Sequence, residues 1–356
     1  MKYETVYPDS TRAVCDSLLT IRVPVYPPTV DYYVKPSIPN KVGVNDNDKT
    51  DNELYNEGQS WDDPFNLEDA LKQASQGDVV HIPEGIYTPS NGGSFVIDCD
   101  SVTIIGGYAG WESGTGELIP SVEKTIIKGN GGPAVIFELG PAVGACGITT
   151  ATRLEGFTIE GGKAENGAGI LFSGGASGTV ANCIIRNNIA EENGGGVYTV
   201  PYGGCGTSDD PVFYNVEISG NKAKNGAGMY NAGSMPTLTN VTIGGNNASV
   251  TGAGMYNNGA SPAIRNTIIY GNVTNGQPLS DEFTNNGGTP VISFSNISRS
   301  NGSGEFWNAT FGTDAGKNID KSPLYRSAGY NANTGVLKQG NYRLSFHSPS
   351  HNKGNN

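Results

Sequence analysis

The sequence predicts an all-β chain: a right-handed single-stranded parallel β-helix, a solenoid, closed at one end by an N-terminal capping α-helix. Three observations predict it. The middle of the chain aligns to itself, with Ile159, Ile185, Ile218, Ile243 and Ile269 at equivalent positions, 26, 33, 25 and 26 residues apart. Each repeat carries short apolar runs of period two, and no run of 3.6 periodicity reaches the length a helical repeat needs. Gly and Asn, the residues of sharp turns, punctuate the repeats at fixed offsets.

Composition removes several classes. Gly supplies 52 of 356 residues, roughly twice its usual ~7% share, without the three-residue period of collagen. With 36% hydrophobic residues, 17 Tyr and 11 Phe, the chain can build a core and is not compositionally disordered. A net charge of −12 argues against nucleic acid, whose phosphates require a Lys/Arg surface. No apolar run approaches the ~20 residues of a membrane span. The five Cys (15, 99, 146, 183, 205) show no CxxC or Cys/His cluster, and three His (81, 347, 351) are too few for a His-built metal centre, so no metal site is expected.

Within the repeats, residues two apart on a strand face the same way. Phe157/Ile159, Cys183/Ile185, Val216/Ile218, Val241/Ile243 and Thr267/Ile269 are therefore expected inward, and Thr158, Ile184, Glu217, Thr242 and Ile268 outward. Ile297 continues the series. A ~26-residue coil accommodates two or three short strands, stacked about 4.8 Å from the next coil. Asn182, Asn215, Asn240 and Asn266 precede each Ile by three residues; Asn188, Asn221, Asn246 and Asn272 follow by three. Asn tolerates left-handed corners, and its amide both donates and accepts, so these columns are expected as structural ladders rather than binding groups. Gly167/Gly169, Gly194/Gly196, Gly226/Gly228 and Gly252/Gly254 precede a second strand whose Ile170, Val197, Met229 and Met255 face inward. These glycines suit corners of positive φ, and no helix follows that would make them a phosphate loop.

Residues 58–89 read as the start of the tube. Asn66 can cap a helix over 67–76, in which Leu67, Ala70, Leu71 and Ala74 form an apolar stripe able to cover the open end. Gly77-Asp78 then turns into a strand at Val79–Pro83. The resulting division is 1–30 as an arm or the remnant of a preceding β-repeat module, 31–90 as the cap and first coil, 91–300 as the coils, and 301–356 as the last coils and closing segment.

The I-x-x-N and G-[AG]-G-[IVM] pairs resemble the FxxN and GGxI repeats of polymorphic outer-membrane proteins and related bacterial surface β-helices, with Ile where that family has Phe. The wider resemblance is to right-handed β-helix proteins of the pectate-lyase-like superfamily. SW…LEDAL…GD.V.IPEG.Y and IIGGYAGWE (104–112) are similar to the opening of such surface proteins. GKNIDKSPLYRSAG…NYRLSFHSPSHNKGNN is similar to their closing segment, although Lys321-Ser322 replaces the usual acidic residue before Pro323. CDSLLTIRVPVYP (15–27) looks like the last strand of a repeat module from multidomain bacterial surface proteins. The resemblance spans residues 30–356. It implies an extracellular or bacterial cell-surface location, as a monomeric part of a larger chain whose signal peptide lies outside this sequence.

Many β-helices of this superfamily cleave polysaccharides. Lyases need a base and cations to neutralise a uronate; hydrolases need two carboxylates about 5–9.5 Å apart. The pectate-lyase RxPxxR pattern is absent. So is the polygalacturonase set of NTD, DD, GHG and RxK, apart from an isolated Asp209-Asp210. No catalytic residue is assigned. Glu160 is expected to stack on Arg186 as a surface ion pair. Two features remain as binding candidates. Tyr198, Tyr230 and Tyr256 should form an outward aromatic column, suited to glycans or a partner protein, or simply packing along the strands. Two Gly-rich loops, 140–152 and 201–211, bulge from equivalent places; they can meet over the coil between them, making Cys146–Cys205 a candidate disulfide and Asp209 with Asp210 a candidate Ca²⁺ or polar-ligand pair. NDNDKTDNE (45–53) is Ca²⁺-like in composition but lacks the EF-hand spacing and reads as a polar insertion. No other cofactor is expected. The leading expectation is a non-enzymatic surface β-helix for adhesion or scaffolding, with glycan binding on its side; the alternative is a polysaccharide lyase or glycoside hydrolase.

Overall fold

A computed structural model of the chain describes residues 2–4, 23–25, 29–34, 65–108, 124–138, 147–200, 210–278, 281–327, 330–331, 336–337 and 341–350. Its body is a right-handed parallel β-helix. Four sheets run along it. The first holds ten strands from Asp31–Tyr33 to Thr313–Asp314, the second eight from Gly85–Tyr87 to Asn296–Ile297, and the third seven from Phe95–Ile97 to Phe283–Asn286. The fourth holds six, from Lys163–Asn166 to Gln277–Pro278. Pairing within them is parallel, except that Gln277–Pro278 folds back antiparallel on Val273–Thr274.

A central coil thus carries four strands, not two or three. The coil Val212–Tyr214, Glu217–Ser219, Lys222–Asn225 and Met229–Ala232 shows why. Its four corners are Asn215, Gly220, Gly226 and Gly233, all at positive φ (55°, 65°, 58° and 70°). Each left-handed residue redirects the backbone within a single step, so even a short repeat can turn four times.

The register stacks like on like. In the second sheet Ile127, Ile159, Ile185, Ile218, Ile243, Ile269 and Ile297 pair in one file, and all are buried. The third sheet adds Phe95, Val135, Ile170, Val197, Met229, Met255 and Phe283. The first adds Val80, Ile104, Leu154, Val180, Phe213, Leu238, Ile264 and Ile292. At the fourth sheet Ala190, Ala223 and Ala248 pack with Ala168, Ala227 and Ala253 in a small cluster of their own. The outward column of the second sheet is half-buried rather than open, and Thr158 within it is fully buried.

The capping helix spans Leu67–Gln73, shorter than the expected 67–76. Ala74 is already extended (φ −60°, ψ 135°), although its N–H still reaches the Ala70 carbonyl. Asn66 caps the start, its side chain accepting from the Asp69 N–H at 2.9 Å. Leu67, Ala70 and Leu71 are buried, and the helix packs on Phe95–Ile97 and Val79–Pro83. After the last coil the chain folds back along the tube, where Tyr325–Ser327 and Asn341–Leu344 form an antiparallel ladder. Tyr342 lies so tightly against Gly244 and Gly245 that a Cβ on Gly245 would sit 1.7 Å from its hydroxyl. In the N-terminal arm, Lys2–Glu4 pairs antiparallel with Val23–Val25. Among the described residues no helix is long and apolar enough to cross a membrane.

Candidate functional site

Tyr198, Tyr230 and Tyr256 follow the inward Val197, Met229 and Met255 and occupy one outward column of the third sheet. The rings stack at 5.3 Å (18° between planes) and 5.0 Å (7°). The repeated Gly corner permits this. Gly194, Gly226 and Gly252 have φ of +66°, +58° and +62°, and a Cβ on each would come 2.8 Å from the Cβ of Tyr198, Tyr230 and Tyr256 respectively. The column continues beyond the tyrosines: Val96, Ile136 and Leu171 precede them and Thr284 follows. The three tyrosines are half-buried. Burial raises the Tyr230 phenol above its ordinary value; the adjacent Tyr256 and Tyr198 add to this, while a hydrogen bond with Asn258 opposes it. Asn286 in turn donates to Asn258 at 3.0 Å, an amide pair beside the last ring of the stack. Both faces of Tyr230 are shared with its neighbours. What the stripe offers a ligand is ring edges and phenol hydroxyls.

The Asn columns serve the backbone. Asn188, Asn221 and Asn246 are fully buried, and each side-chain amide donates to the next side-chain oxygen: Asn188 to Asn221 (3.0 Å), Asn221 to Asn246 (3.0 Å), Asn246 to Asn272 (2.9 Å). Asn272 ends the series by donating to Glu282 Oε2 at 3.1 Å, and its backbone N–H donates to the same oxygen at 3.0 Å. Asn182, Asn215, Asn240 and Asn266 hold left-handed corners, with φ from 48° to 58°. Asn215 donates to Asn182, and Asn182 to Glu155, both at 2.6 Å. A further column, buried from Thr199 to Asn257 and half-buried at Asn285, escaped the sequence reading: Thr199, Asn231, Asn257 and Asn285 are linked side chain to side chain at 2.9, 2.8 and 2.7 Å. Its signal was the Asn two residues after each inward Met in the M-Y-N triplets.

Glu282 is buried beside a cavity of about 180 Å³ that Ser298, Arg299 and Asn308 also line. Burial pushes its carboxyl up to about 7, against the pull of the Asn272 donors and the Ser298 hydroxyl. Neither Glu282 Oε1 nor Ser298 Oγ has a partner at ordinary hydrogen-bond geometry.

Asp210 accepts from the Met235 N–H at 2.7 Å, which ties the end of its loop to the next coil. Asp209, Cys146, Cys205 and the run 45–53 lie outside the described residues. Cys99 and Cys183 are free thiols. Cys183 fills an apolar core position, and burial pushes its thiol up to about 12. Glu160 and Arg186 meet at 2.9 Å on adjacent coils. Among the described residues no three His, Cys, Asp or Glu side chains cluster as metal ligands would.

The structure also assembles residues that the sequence reading left unconnected. His81 alternates outward between the buried Val80 and Ile82. Its Nε2 lies 2.8 Å from Asp31 Oδ1, and its Nδ1 lies 2.5 Å from the Tyr108 hydroxyl. Tyr33, its partner in register, stacks on the imidazole at 4.9 Å and 15°. Tyr108 arrives through a register shift opposite Pro83, a bulge no sequence pattern announces.

No family model and no curated protein matches the chain. Among solved structures, the crystal structure of pectate lyase Pel9A is similar over 90% of this chain and 90% of its own, with a TM-score of 0.45 and 12% sequence identity.

Proposed function

We propose that this chain is an extracellular or bacterial cell-surface β-helix whose repeat coils bind an extended neutral glycan, for adhesion or scaffolding, and do not turn it over. The stacked Tyr198–Tyr230–Tyr256 column, with the Asn258–Asn286 amide pair at its end, is the observation that carries this reading. Phenol hydroxyls repeat at the coil spacing beside Asn258 and Asn286, an alternation of apolar edge and hydrogen-bonding group that suits a linear polymer of hydroxylated rings. With Leu171, Ile136 and Val96 the column crosses six coils, a track of roughly 25 Å at about 4.8 Å per coil. Charge favours a neutral ligand, because a chain of net −12 repels polyanions. On the fourth sheet, Lys224 is paired with Glu192.

The test is a panel of neutral and acidic polysaccharides. Binding to a neutral chain that persists in high salt, and that weakens about tenfold in Tyr230→Ala, is the expected result. Unaltered affinity in Tyr230→Ala would move the binding surface elsewhere. Binding confined to acidic chains would overturn the charge argument.

A further inference from the structure

We propose that Asp31, His81 and Tyr108 form a nucleophilic centre on the outer face of the first coils, which takes neutral carboxylic esters as substrates. The centre lies on the first sheet, away from the tyrosine stripe, and stands or falls independently of glycan binding.

The tautomer follows from the partners. An ionised Asp31 can only accept, so His81 carries its proton on Nε2, and Nδ1 is left as the acceptor for the Tyr108 O–H. A hydroxyl, a base within hydrogen-bond reach and a carboxylate orienting that base is the arrangement that activates a nucleophile. His81 is held in place from three sides. Asp31 and Tyr108 occupy its two nitrogens, Tyr33 covers one face, and the Tyr108 ring meets it edge-on at 5.1 Å. Burial raises the Tyr108 phenol, and neighbouring Tyr33, Asp31 and Glu155 raise it further. Tyr108 is therefore a neutral phenol at rest and ionises only as its proton passes to His81.

The surrounding groups select the chemistry. Glycoside cleavage needs a protonated carboxyl to protonate the leaving oxygen. Asp31 is engaged by His81. Although burial pushes Glu155 upward, hydrogen bonds from Arg153 and Asn182 and the Arg153 charge outweigh it and hold Glu155 below the usual carboxylate range, ionised. β-Elimination from a uronate needs cations to neutralise the substrate's carboxylate. Here the nearby cation, Arg153, is 2.6 Å from Glu155, and Asp31 adds negative charge. A neutral ester needs neither device, because its departing alkoxide can recover the proton held on His81.

The steps balance. Tyr108 Oη attacks the carbonyl carbon while its proton moves to His81 Nδ1, and Asp31 holds the imidazolium. The tetrahedral adduct expels the alkoxide, which takes that proton and leaves as the alcohol, so that an acyl-Tyr108 remains. Water then attacks the acyl group, passing a proton to His81. The carboxylic acid departs as Tyr108 regains its proton.

The experiment uses p-nitrophenyl acetate on the full chain near neutral pH, with acetylated tyrosines located by peptide mass mapping. Tyr198, Tyr230 and Tyr256 serve as internal standards. Tyr108 is expected to acetylate about a hundredfold faster than these three, the scale of general-base assistance. Asp31→Asn, at a position whose carboxylate is 58% exposed and so safe for folding, is expected to cut that rate about a hundredfold by losing the orienting charge, leaving the three standards unchanged. A hydrogen-bonded tyrosine with a purely structural role would react more slowly than the stripe. Labelling of Tyr108 at or below the rate of the standards, or undiminished in Asp31→Asn, overturns the proposal.

Discussion

Replacing Glu282 by Gln should stabilise this protein increasingly as pH rises from about 4.5 to 7 and leave it unchanged below that range. Glu282 stands at the end of the buried Asn series, accepting from Asn272 through one oxygen while the other has no partner at ordinary geometry. Its carboxyl is raised from 4.5 to about 7 by burial. Below 4.5 the group is protonated folded and unfolded, and it costs nothing. Above 7 it is charged in both states, and the folded state bears the whole cost of the buried charge. Stability from this group is thus complete below 4.5 and lost as pH rises to about 7. At 1.36 kcal/mol per pH unit the loss is roughly 3 kcal/mol. Gln preserves the acceptor for Asn272 and offers an amide donor toward Ser298, without the charge. Solenoids open coil by coil, so the appropriate assay is amide hydrogen exchange at Asn272 and Gly254, whose N–H groups bond to Glu282, between pH 4.5 and 8 with intrinsic rates removed. The opening free energies of the variant and the parent should coincide at pH 4.5 and separate by up to about 3 kcal/mol at pH 8. A pH-independent difference, or a variant less stable at pH 8, would refute the reasoning.

Other perturbations test the same physics. Asn221→Ala removes the acceptor for both the backbone and side-chain N–H of Asn188; it should cost on the order of 2–5 kcal/mol in urea denaturation, since buried donors are left without partners. Gly228→Ala places a Cβ 2.4 Å from the Gly254 carbonyl oxygen and should prevent stacking of the central coils, read as loss of the folded circular-dichroism signal. Gly259→Ala is its control: φ is +67° but no atom lies within 4 Å, so only the ~1 kcal/mol of left-handed strain is expected in the same melt. Tyr342→Ala should release the closing ladder from Gly244–Gly245, raising proteolysis between residues 325 and 344 while exchange at Ile185 stays slow.

The legible part of this protein is its periodic part. Ile159, Ile185 and Ile218 could be superimposed on paper because each meets the same residue type above and below, and they do form one file. The same logic made the outward tyrosine column legible. It failed to count the strands, because a corner built from one left-handed residue, such as Gly220, looks like continuing strand. It overran the cap helix by three residues, because Ala74 keeps the apolar stripe while its backbone is already extended. The Asp31–His81–Tyr108 group was not legible at all.

By itself the sequence determined the coil and its stacking, since in a solenoid each repeat contacts only its neighbours and a pattern in one dimension suffices to specify the contacts. Only the tertiary structure decided what the irregular segments meet. Asp31 reaches His81 across 50 residues, Tyr108 enters through a register shift, and Tyr342 settles on Gly244 and Gly245. Such meetings depend on where the chain stands after many turns, and no local periodicity encodes that position.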